Sequence, residues 1–192
     1  MGLRVVAGSC RGRRLVTPEG NDVRPTSDRV REAVFNSLGS MDALRGASVL
    51  DLFAGSGAMG IEALSRGAAS ATFVDESTKS VKAIAANLRA SDLEGSATVK
   101  RSDALRFLRD GPGHFDLIVL DPPYEFDEWD ELLQLVDAST ILIESNRSIE
   151  LPAKSRGGEL SVAKDRRYGG TVVMIAIAEG RGIHDRTSEG RT

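Results

Sequence analysis

From Ala47 onward, short apolar runs alternate with longer stretches in which apolar residues recur at helical spacing. Strands that alternate with helices are typical of a parallel sheet whose faces are covered by helices. We therefore predict an α/β, Rossmann-like fold with a seven-stranded, mostly parallel sheet. The predicted strands cover residues 48–52, 71–74, 97–100, 117–120, 141–144, 160–164 and 171–178.

The stretches between these runs predict the helices of the fold. Their apolar positions recur with a period of three to four residues, which places them on one face of a helix. The predicted helices begin near Ala58, Ser77, Ala104 and Asp127, with a weak signal for one more after Asn146.

The end of the pattern differs from the rest. No helix fits between the last two predicted strands, and Tyr168-Gly169-Gly170 offers turn residues there. Strands joined by so short a connection are antiparallel neighbours. The last strand is therefore predicted to run antiparallel to the sheet.

The chain begins with a different pattern. Two β-prone runs, residues 3–8 and 14–17, flank a bend that contains Arg11 and Arg13, which predicts a hairpin. Thr26 or Ser27 can cap a helix that follows. The apolar face of this helix comprises Val30, Val34 and Leu38, with Phe35 beside them and Gly39 at the end. Residues 1–39 are thus predicted to form a small hairpin-and-helix extension, residues 40–180 the main domain, and residues 181–192 a disordered tail.

Composition narrows the class of protein. A chain of 192 residues with 41% hydrophobic and 28% charged residues suits one globular domain. Cys10 is the sole cysteine, so an intrachain disulfide is excluded, and we expect no metal site and a reducing compartment. No apolar run approaches the length of a membrane span. A cytoplasmic monomer is expected.

The charges are distributed unevenly along the chain. The net charge is −3, yet residues 1–31 hold seven arginines against three acids. A basic segment on an acidic body favours a polyanionic partner, because the arginine fork matches phosphate oxygens. The alternative is a solvated charged edge. The predicted RNA-binding residues are Arg4, Arg11, Arg13, Arg14, Arg24 and Arg29.

A glycine-rich loop follows the first strand of the main domain. Gly55, Gly57 and Gly60 match the spacing G-x-G-x-x-G, which by itself is a weak signal. A loop that binds pyrophosphate would disfavour a carboxylate such as Asp51 at the end of that strand. S-adenosylmethionine carries an ammonium and a sulfonium and no phosphate, so Asp51 favours this cofactor. Phe53 and Ala54, with Gly55 and Gly57, complete the predicted cofactor loop.

Two more acids follow the next two predicted strands. We predict that Asp75, with Glu76 beside it, accepts hydrogen bonds from the ribose hydroxyls. Asp103 is predicted to accept from the adenine amino group, with the backbone of Ala104 next to the ring. Taken singly, each acid is more commonly a helix cap or a solvated turn residue. Acids after three successive strands favour the cofactor site.

The fourth predicted strand ends in Asp121-Pro122-Pro123-Tyr124. Two consecutive prolines restrict the backbone, so an acid, a carbonyl and an aromatic ring are held in one orientation. A plain proline turn is the alternative. We interpret these four residues as catalytic. Asp121 and the Pro122 carbonyl would accept the two hydrogens of an amino group, and Tyr124 would stack on the nucleic-acid base that carries this group.

The sequence resembles the bacterial 16S ribosomal RNA guanine-966 N2-methyltransferases. The resemblance covers residues 3–178 and rests on the arginines around Gly12, on the block from Arg24 to Asn36, on the glycine loop, on the proline motif and on Tyr168-Gly169. It implies a class I methyltransferase that uses S-adenosyl-L-methionine. Its implied substrate is the exocyclic N2 of a guanine in 16S rRNA, free or in a small-subunit assembly intermediate.

Three other functions compete with this interpretation. The first is an adenine-N6 methyltransferase of DNA or RNA, since related proline motifs serve adenine. The second is a nicotinamide-dependent oxidoreductase, which Asp51 and the proline motif disfavour. The third is an RNA-binding module without activity, which a cofactor-binding measurement would separate from an enzyme.

Overall fold

The computed structural model describes residues 2–18 and 27–179. Its eight strands are β1 (Ser48–Leu52), β2 (Ser70–Asp75), β3 (Ala97–Arg101), β4 (Phe115–Leu120), β5 (Ala138–Ser145), β6 (Lys154–Ser155), β7 (Gly158–Tyr168) and β8 (Thr171–Glu179). Its helices are α1 (Asp28–Ser40), α2 (Ala58–Ser65), α3 (Thr78–Ala90), α4 (Ala104–Arg109) and α5 (Trp129–Leu135), and a 3₁₀ turn covers Glu94–Ser96.

All eight strands form one sheet in the order β3-β2-β1-β4-β5-β8-β7-β6. The first five strands run parallel to one another, and β8 pairs antiparallel with β5 and β7. The predicted α/β class, the mostly parallel sheet and the terminal hairpin are confirmed.

The predicted number of seven strands is wrong. The additional strand, β6, has two residues and pairs with the start of β7. So short a strand carries no alternation of apolar and polar residues, which is why the pattern missed it. The weak signal after Asn146 was also wrong, because residues 146–153 form no helix.

The core lies on both faces of the sheet because side chains along each strand point alternately to the two sides. One cluster, which includes Val49, Phe73, Val119 and Leu142, packs beneath α1, α2 and α3. The other, which includes Leu50 and Ile118, packs beneath α4 and α5. Burial on both faces explains why the central strands are almost entirely apolar.

The predicted N-terminal hairpin is present as a short antiparallel pair. Arg4 and Arg14 form its bridge, and the Leu15 amide donates to the Leu3 carbonyl over 2.9 Å. Val5 and Leu15 are buried in the cluster beneath α1 and α2. The extension therefore shares the hydrophobic core of the main sheet.

Helix α1 follows the prediction closely. The Ser27 hydroxyl accepts from the Val30 amide, so Ser27 is the cap, while Thr26 lies outside the described residues. Val34, Phe35 and Leu38 are buried, and the helix ends at Ser40, one residue beyond the predicted Gly39.

A buried carboxylate, Glu62 of α2, holds the extension against the core. It accepts hydrogen bonds from the amides of Val6 (2.7 Å) and Ala7 (3.0 Å) and from Arg66 Nε (2.7 Å), and Arg31 Nε lies 3.9 Å from it. Both Glu62 and Arg31 are 0% exposed. Arg31, one of the seven N-terminal arginines, is thus turned inward and serves the fold.

Candidate active site

The carboxyl ends of the parallel strands bring most of the predicted site residues to one edge of the sheet. Leu52 of β1 is in register with Leu120 of β4, and Leu120 with Ile143 of β5. The glycine loop that follows β1 and the proline motif that follows β4 are therefore neighbours. This edge is where open α/β sheets bind their ligands.

The glycines of the loop have different roles. A Cβ atom at Gly55 would have only the Phe53 carbonyl oxygen, at 3.9 Å, near it, whereas one at Gly60 would lie 2.3 Å from the Phe73 ring. Gly55 therefore borders open space and Gly60 packs helix α2 onto β2. Phe53 itself adopts a left-handed conformation with φ of 59°. Such a conformation in a residue other than glycine is a strained arrangement that is common at functional sites.

Replacing Gly60 with alanine should destabilise the protein by about 1–3 kcal/mol, the cost of overpacking a core. Gly39→Ala is the matched control, because that glycine lies in a helix and an added Cβ would meet nothing within 4 Å. The control should gain up to about 1 kcal/mol from helix propensity. Urea unfolding of both variants tests the contrast, and equal stabilities would contradict the close packing at Gly60.

Asp75 and Asp103 already hold backbone groups. The two Asp75 oxygens accept from the amides of Gly55 and Ser77, each over 2.8 Å, so Asp75 shapes the glycine loop. The Asp103 carboxylate caps α4 by accepting from the Arg106 amide over 2.8 Å. A carboxylate oxygen can accept more than one hydrogen bond, so both remain available to a ligand. Their predicted contacts with ribose and adenine stay predictions.

The residues beside these acids differ in exposure. Glu76 is exposed, and its carbonyl accepts from Arg101 Nε over 3.0 Å. Ala104 is buried as the first residue of α4. Ala54, in the loop, donates its amide to the Val74 carbonyl over 3.0 Å.

Asp51 is the most enclosed acid of the site. It is 2% exposed and accepts from the Gly60 amide over 2.8 Å. Burial raises the pKa of Asp51 to about 7, an effect that the Gly60 hydrogen bond opposes and the Asp75 charge reinforces. A buried carboxylate of this kind favours a cationic ligand nearby.

This raised pKa predicts how stability depends on pH. The folded state retains a proton on Asp51 at pH values where the unfolded chain has lost it, so the contribution of Asp51 to stability falls as pH rises from about 4 to about 7. Asp51→Asn keeps an acceptor for the Gly60 amide and removes the titration. We expect wild type, relative to Asp51→Asn, to lose stability between pH 5 and pH 8 in urea unfolding. A constant difference between the two proteins would contradict the raised pKa.

Asp121 stands at the carboxyl end of β4. The residue is half-buried, and burial raises the pKa of its carboxyl group well above the ordinary value, reinforced by Glu144 and Asp51. Glu144 follows Ile143, which is in register with Leu120. It also interacts electrostatically with Arg31. Sequence reasoning missed Glu144, although an acid directly after the apolar run of residues 141–143 was an available signal.

The proline motif places its residues in different environments. Pro122 is buried, Pro123 is exposed, and Tyr124 is 55% exposed, which makes its ring available to a substrate. Arg147 holds the loop by donating to the Tyr124 carbonyl (3.4 Å) and the Phe126 carbonyl (3.0 Å). Sequence reasoning also missed Arg147, because nothing in its neighbourhood along the chain indicates this contact.

An aromatic cluster joins the two loops of the site. Phe53 meets Phe126 edge to face with ring centroids 5.3 Å apart, and Phe126 meets Trp129 in the same way at 5.5 Å. Such contacts add about 0.5–1.5 kcal/mol beyond burial. They hold the glycine loop and the proline motif in fixed relation.

The predicted RNA-binding arginines are spread over the extension. Arg4 pairs with Asp28 at 3.0 Å and Arg13 with Asp92 at 3.8 Å, while Arg11, Arg14 and Arg29 are exposed. Arg24 lies outside the described residues, as does the predicted tail, residues 181–192. The hairpin tip bonds to Ser65 at the end of α2. Because α2 has eight residues, the tip lies about 12 Å along that helix from the glycine loop.

A Ser-His-Asp arrangement lies at the opposite edge of the sheet. His114 Nδ1 is 2.7 Å from Asp137 and His114 Nε2 is 3.0 Å from Ser139. Ser139 is only 7% exposed, so its hydroxyl offers little access to a substrate. The arrangement ties the start of β5 to the segment before β4.

Two features are absent from the part of the chain that the structure describes, a membrane-spanning helix and a cluster of metal ligands. In residues 2–18 and 27–179, no helix is both long and apolar enough to cross a membrane. In the same part of the chain, no cluster of three or more His, Cys, Asp or Glu side chains is suited to a metal ion.

Comparison with known proteins identifies the family. Residues 3–177 match the family described as "Conserved hypothetical protein 95". The chain belongs to this family. The chain is similar to the Ribosomal RNA small subunit methyltransferase D of Escherichia coli (strain K12), which is 38% identical over 157 residues that cover 78% of each chain.

Two further similar proteins match over more of the chain. YlbH of Bacillus subtilis (strain 168), named as a candidate rRNA methyltransferase, is 40% identical over 90% of this chain and 97% of its own length. The solved structure of YhhF from Escherichia coli, named as a candidate methyltransferase, is 32% identical with a TM-score of 0.79, covering 94% of this chain and 100% of YhhF. The class I methyltransferase fold and the membership of an rRNA methyltransferase family are therefore both supported.

Proposed function

We propose that this chain transfers a methyl group from S-adenosyl-L-methionine to the exocyclic N2 of a guanine in 16S rRNA, the position called guanine-966 in the resembling family. One observation carries the proposal. The half-buried Asp121 and the exposed Tyr124 are held by two prolines at a sheet edge beside the glycine loop. The substrate is free RNA or a small-subunit assembly intermediate in the cytoplasm.

The residues at the edge fit the cofactor. Gly55 borders open space, and the Asp51 carboxylate interacts electrostatically with those of Asp75 and Asp121. Such an environment suits a ligand with two cationic groups and no phosphate. Asp51 and the loop would hold its amino acid part, Asp75 and Glu76 its ribose, and Asp103 and Ala104 its adenine. The cofactor supplies a methyl group already activated by a sulfonium, so no strong general base is required.

The chain's own task is then to prepare the nucleophile. The exocyclic nitrogen of guanine is a poor nucleophile because its lone pair is delocalised into the ring. Acceptance of its two hydrogens by Asp121 and the Pro122 carbonyl would localise the lone pair. Tyr124 would hold the base by stacking, and the stacked base would exclude water from both hydrogen bonds and so strengthen them. A base inside a stack must first be extruded, at a cost of about a few kcal/mol.

Mass spectrometry of ribosomal RNA from cells that lack this chain tests the proposal. We expect one N2-methylguanine to be missing from 16S rRNA and to return when the purified protein and cofactor are added to small subunits from those cells. Loss of a methyladenine instead would establish the adenine-N6 alternative. An unchanged RNA that is not methylated by the purified protein would overturn the proposal.

The role of Tyr124 predicts a graded response. Tyr124→Ala should lose about 1–3 kcal/mol of base stacking, seen as weaker RNA binding and slower transfer. Tyr124→Phe should retain much of the activity, because the stacking face survives. Steady-state kinetics on small subunits compare the two, and equal damage in both would assign the direct role to the hydroxyl instead.

A further inference from the structure

The turn between β7 and β8 lies at the same edge of the sheet as the candidate active site. Strand β5 ends at this edge, and Ser145 near its end pairs with Val172 at the start of β8. Tyr168 at the end of β7 pairs with Thr171. The last residues of β7 therefore flank the site on the side beyond β5.

One row across the sheet links Asp121 to Arg166. Leu120 and Ile143 are in register, and Asp121 and Glu144 are the residues that follow them. Glu144 pairs with Val173, which in turn pairs with Arg166. Adjacent strands are about 4.8 Å apart, so the Cα atoms of Asp121 and Arg166 are about 14 Å apart. Directly opposed residues point to the same face, which puts Arg166 on the face of Asp121 and Glu144.

The charge at the end of β7 is positive and accessible. Residues 164–168 contain Lys164, Arg166 and Arg167 and a single acid, Asp165. Arg166 and Arg167 are exposed, and the hydrogen bond recorded for Arg166 goes to the Asp165 carbonyl. No ion pair of Arg166 or Arg167 is found within residues 2–18 and 27–179. Successive residues of a strand point to opposite faces, so the two arginines straddle the edge.

The arginines of the N-terminal extension lie in mixed environments. Arg31 is buried, Arg4 and Arg13 face acids, and the exposed arginines are Arg11, Arg14 and Arg29. The tip of the hairpin bonds to the far end of α2. Arg166 and Arg167 are thus unpaired cations at the edge of the sheet that carries the candidate active site. They lie outside the basic N-terminal segment, so its charge does not account for them.

We propose that Arg166 and Arg167 form a second RNA-binding arm, which binds backbone phosphates flanking the target nucleotide on the side of the site beyond β5. This inference rests on the proposed function for the identity of the RNA. Arginine forks bind phosphate oxygens in a bidentate manner, and such contacts set the position and register of a nucleic acid. Helix α1 of the extension contacts β7, where Lys164 Nζ donates to the Ser37 hydroxyl, so the arm continues the RNA-binding surface of the extension to the side of the site beyond β5.

The test compares two double variants that each remove two positive charges. Arg166→Ala/Arg167→Ala removes the arm. Lys154→Ala/Arg109→Ala is the control, because Lys154 lies on β6 and Arg109 ends α4, both toward the opposite edge of the sheet, and both are exposed. Binding of small ribosomal subunits from cells that lack the chain is measured without cofactor at several salt concentrations, followed by single-turnover methyl transfer.

The arm variant should bind RNA at least about tenfold more weakly, and the slope of log affinity against log salt should become shallower by about 0.7 for each lost phosphate contact. Its transfer rate at saturating RNA and its cofactor affinity should stay within about twofold of wild type. The control should match wild type throughout. Arg166→Lys/Arg167→Lys should keep the salt dependence and lose part of the affinity, since lysine retains the charge without the fork.

Equal RNA binding by the arm variant and the control would overturn the second arm. A loss confined to the rate at saturating RNA would also overturn it, because the arginines would then act on the chemistry. Failure of the proposed function is distinguishable, since wild type would then transfer no methyl group to these subunits, while the binding comparison would still decide whether the arm contacts RNA.

Discussion

Replacing Asp121 with alanine is expected to reduce methyl transfer about 10²–10³-fold while leaving cofactor and RNA binding nearly unchanged. The reason is that its hydrogen bond to the amino group strengthens chiefly as the nitrogen localises its lone pair in the transition state. The fold should tolerate the change. Burial raises the pKa of Asp121, so its ionised form is a cost to the folded state at neutral pH, and removing it relieves that cost.

Asp121→Asn refines this prediction. The amide oxygen can still accept one hydrogen bond, so we expect Asp121→Asn to retain more activity than Asp121→Ala. Single-turnover rates at saturating RNA measure the effect, and calorimetry of cofactor binding shows that the site is intact. A wild-type rate in Asp121→Ala would remove Asp121 from the chemistry, and a loss that appears only in RNA affinity would make it a binding residue.

Replacing Glu62 with alanine is expected to destabilise the protein by about 3–5 kcal/mol, the cost of breaking a buried ion pair by removing one partner. The change removes the carboxylate partner of the mostly buried Arg66 and one of the two carboxylates near Arg31, which keeps Asp28, and it deprives the amides of Val6 and Ala7 of their acceptor. Arg31 Nη2 donates to Asp28 and to the Arg4 carbonyl, but Arg31 Nε and Nη1 are buried without a hydrogen-bond partner among the described residues, so loss of the nearby Glu62 charge leaves these two atoms uncompensated.

Glu131→Ala is the matched control for Glu62. It also removes one carboxylate from an arginine ion pair, but this pair with Arg109 is exposed. Exposed pairs contribute about 0–1 kcal/mol. Urea unfolding measures both variants, and hydrogen exchange at the Val6 and Ala7 amides should show loss of protection in Glu62→Ala first. Equal stability of the two variants would contradict the role of Glu62 in holding the extension.

Local patterns were sufficient for much of the fold. The positions of the five parallel strands follow from local runs of apolar residues, and the caps of α1 and α3 are set by interactions within a few residues, as Ser27 and Ser77 show. The β7–β8 hairpin follows from the glycines of its turn. The two-residue strand β6 was missed because its pairing with β7 depends on contacts that no periodicity records.

The candidate site was predicted in part. The glycine loop and the proline motif stand next to strand ends in the sequence, so their meeting at one sheet edge follows from parallel topology. The hydrogen bonds of Asp75 and Asp103 to backbone amides, and the hold of Arg147 on the Tyr124 loop, join groups whose relative orientation only the folded chain specifies.

The sequence by itself determined the order of strands and helices, the loop that follows β1, the motif that follows β4 and the basic character of the N-terminal segment, because each depends on neighbouring residues. Only the tertiary structure decided which charges are buried. It turned Arg31 inward to Glu62, placed Glu144 beside Asp121 and brought Arg166 to the reaction edge through strand register. Burial and register depend on partners far apart in the chain, and they decide whether a charge serves the fold, the chemistry or the RNA.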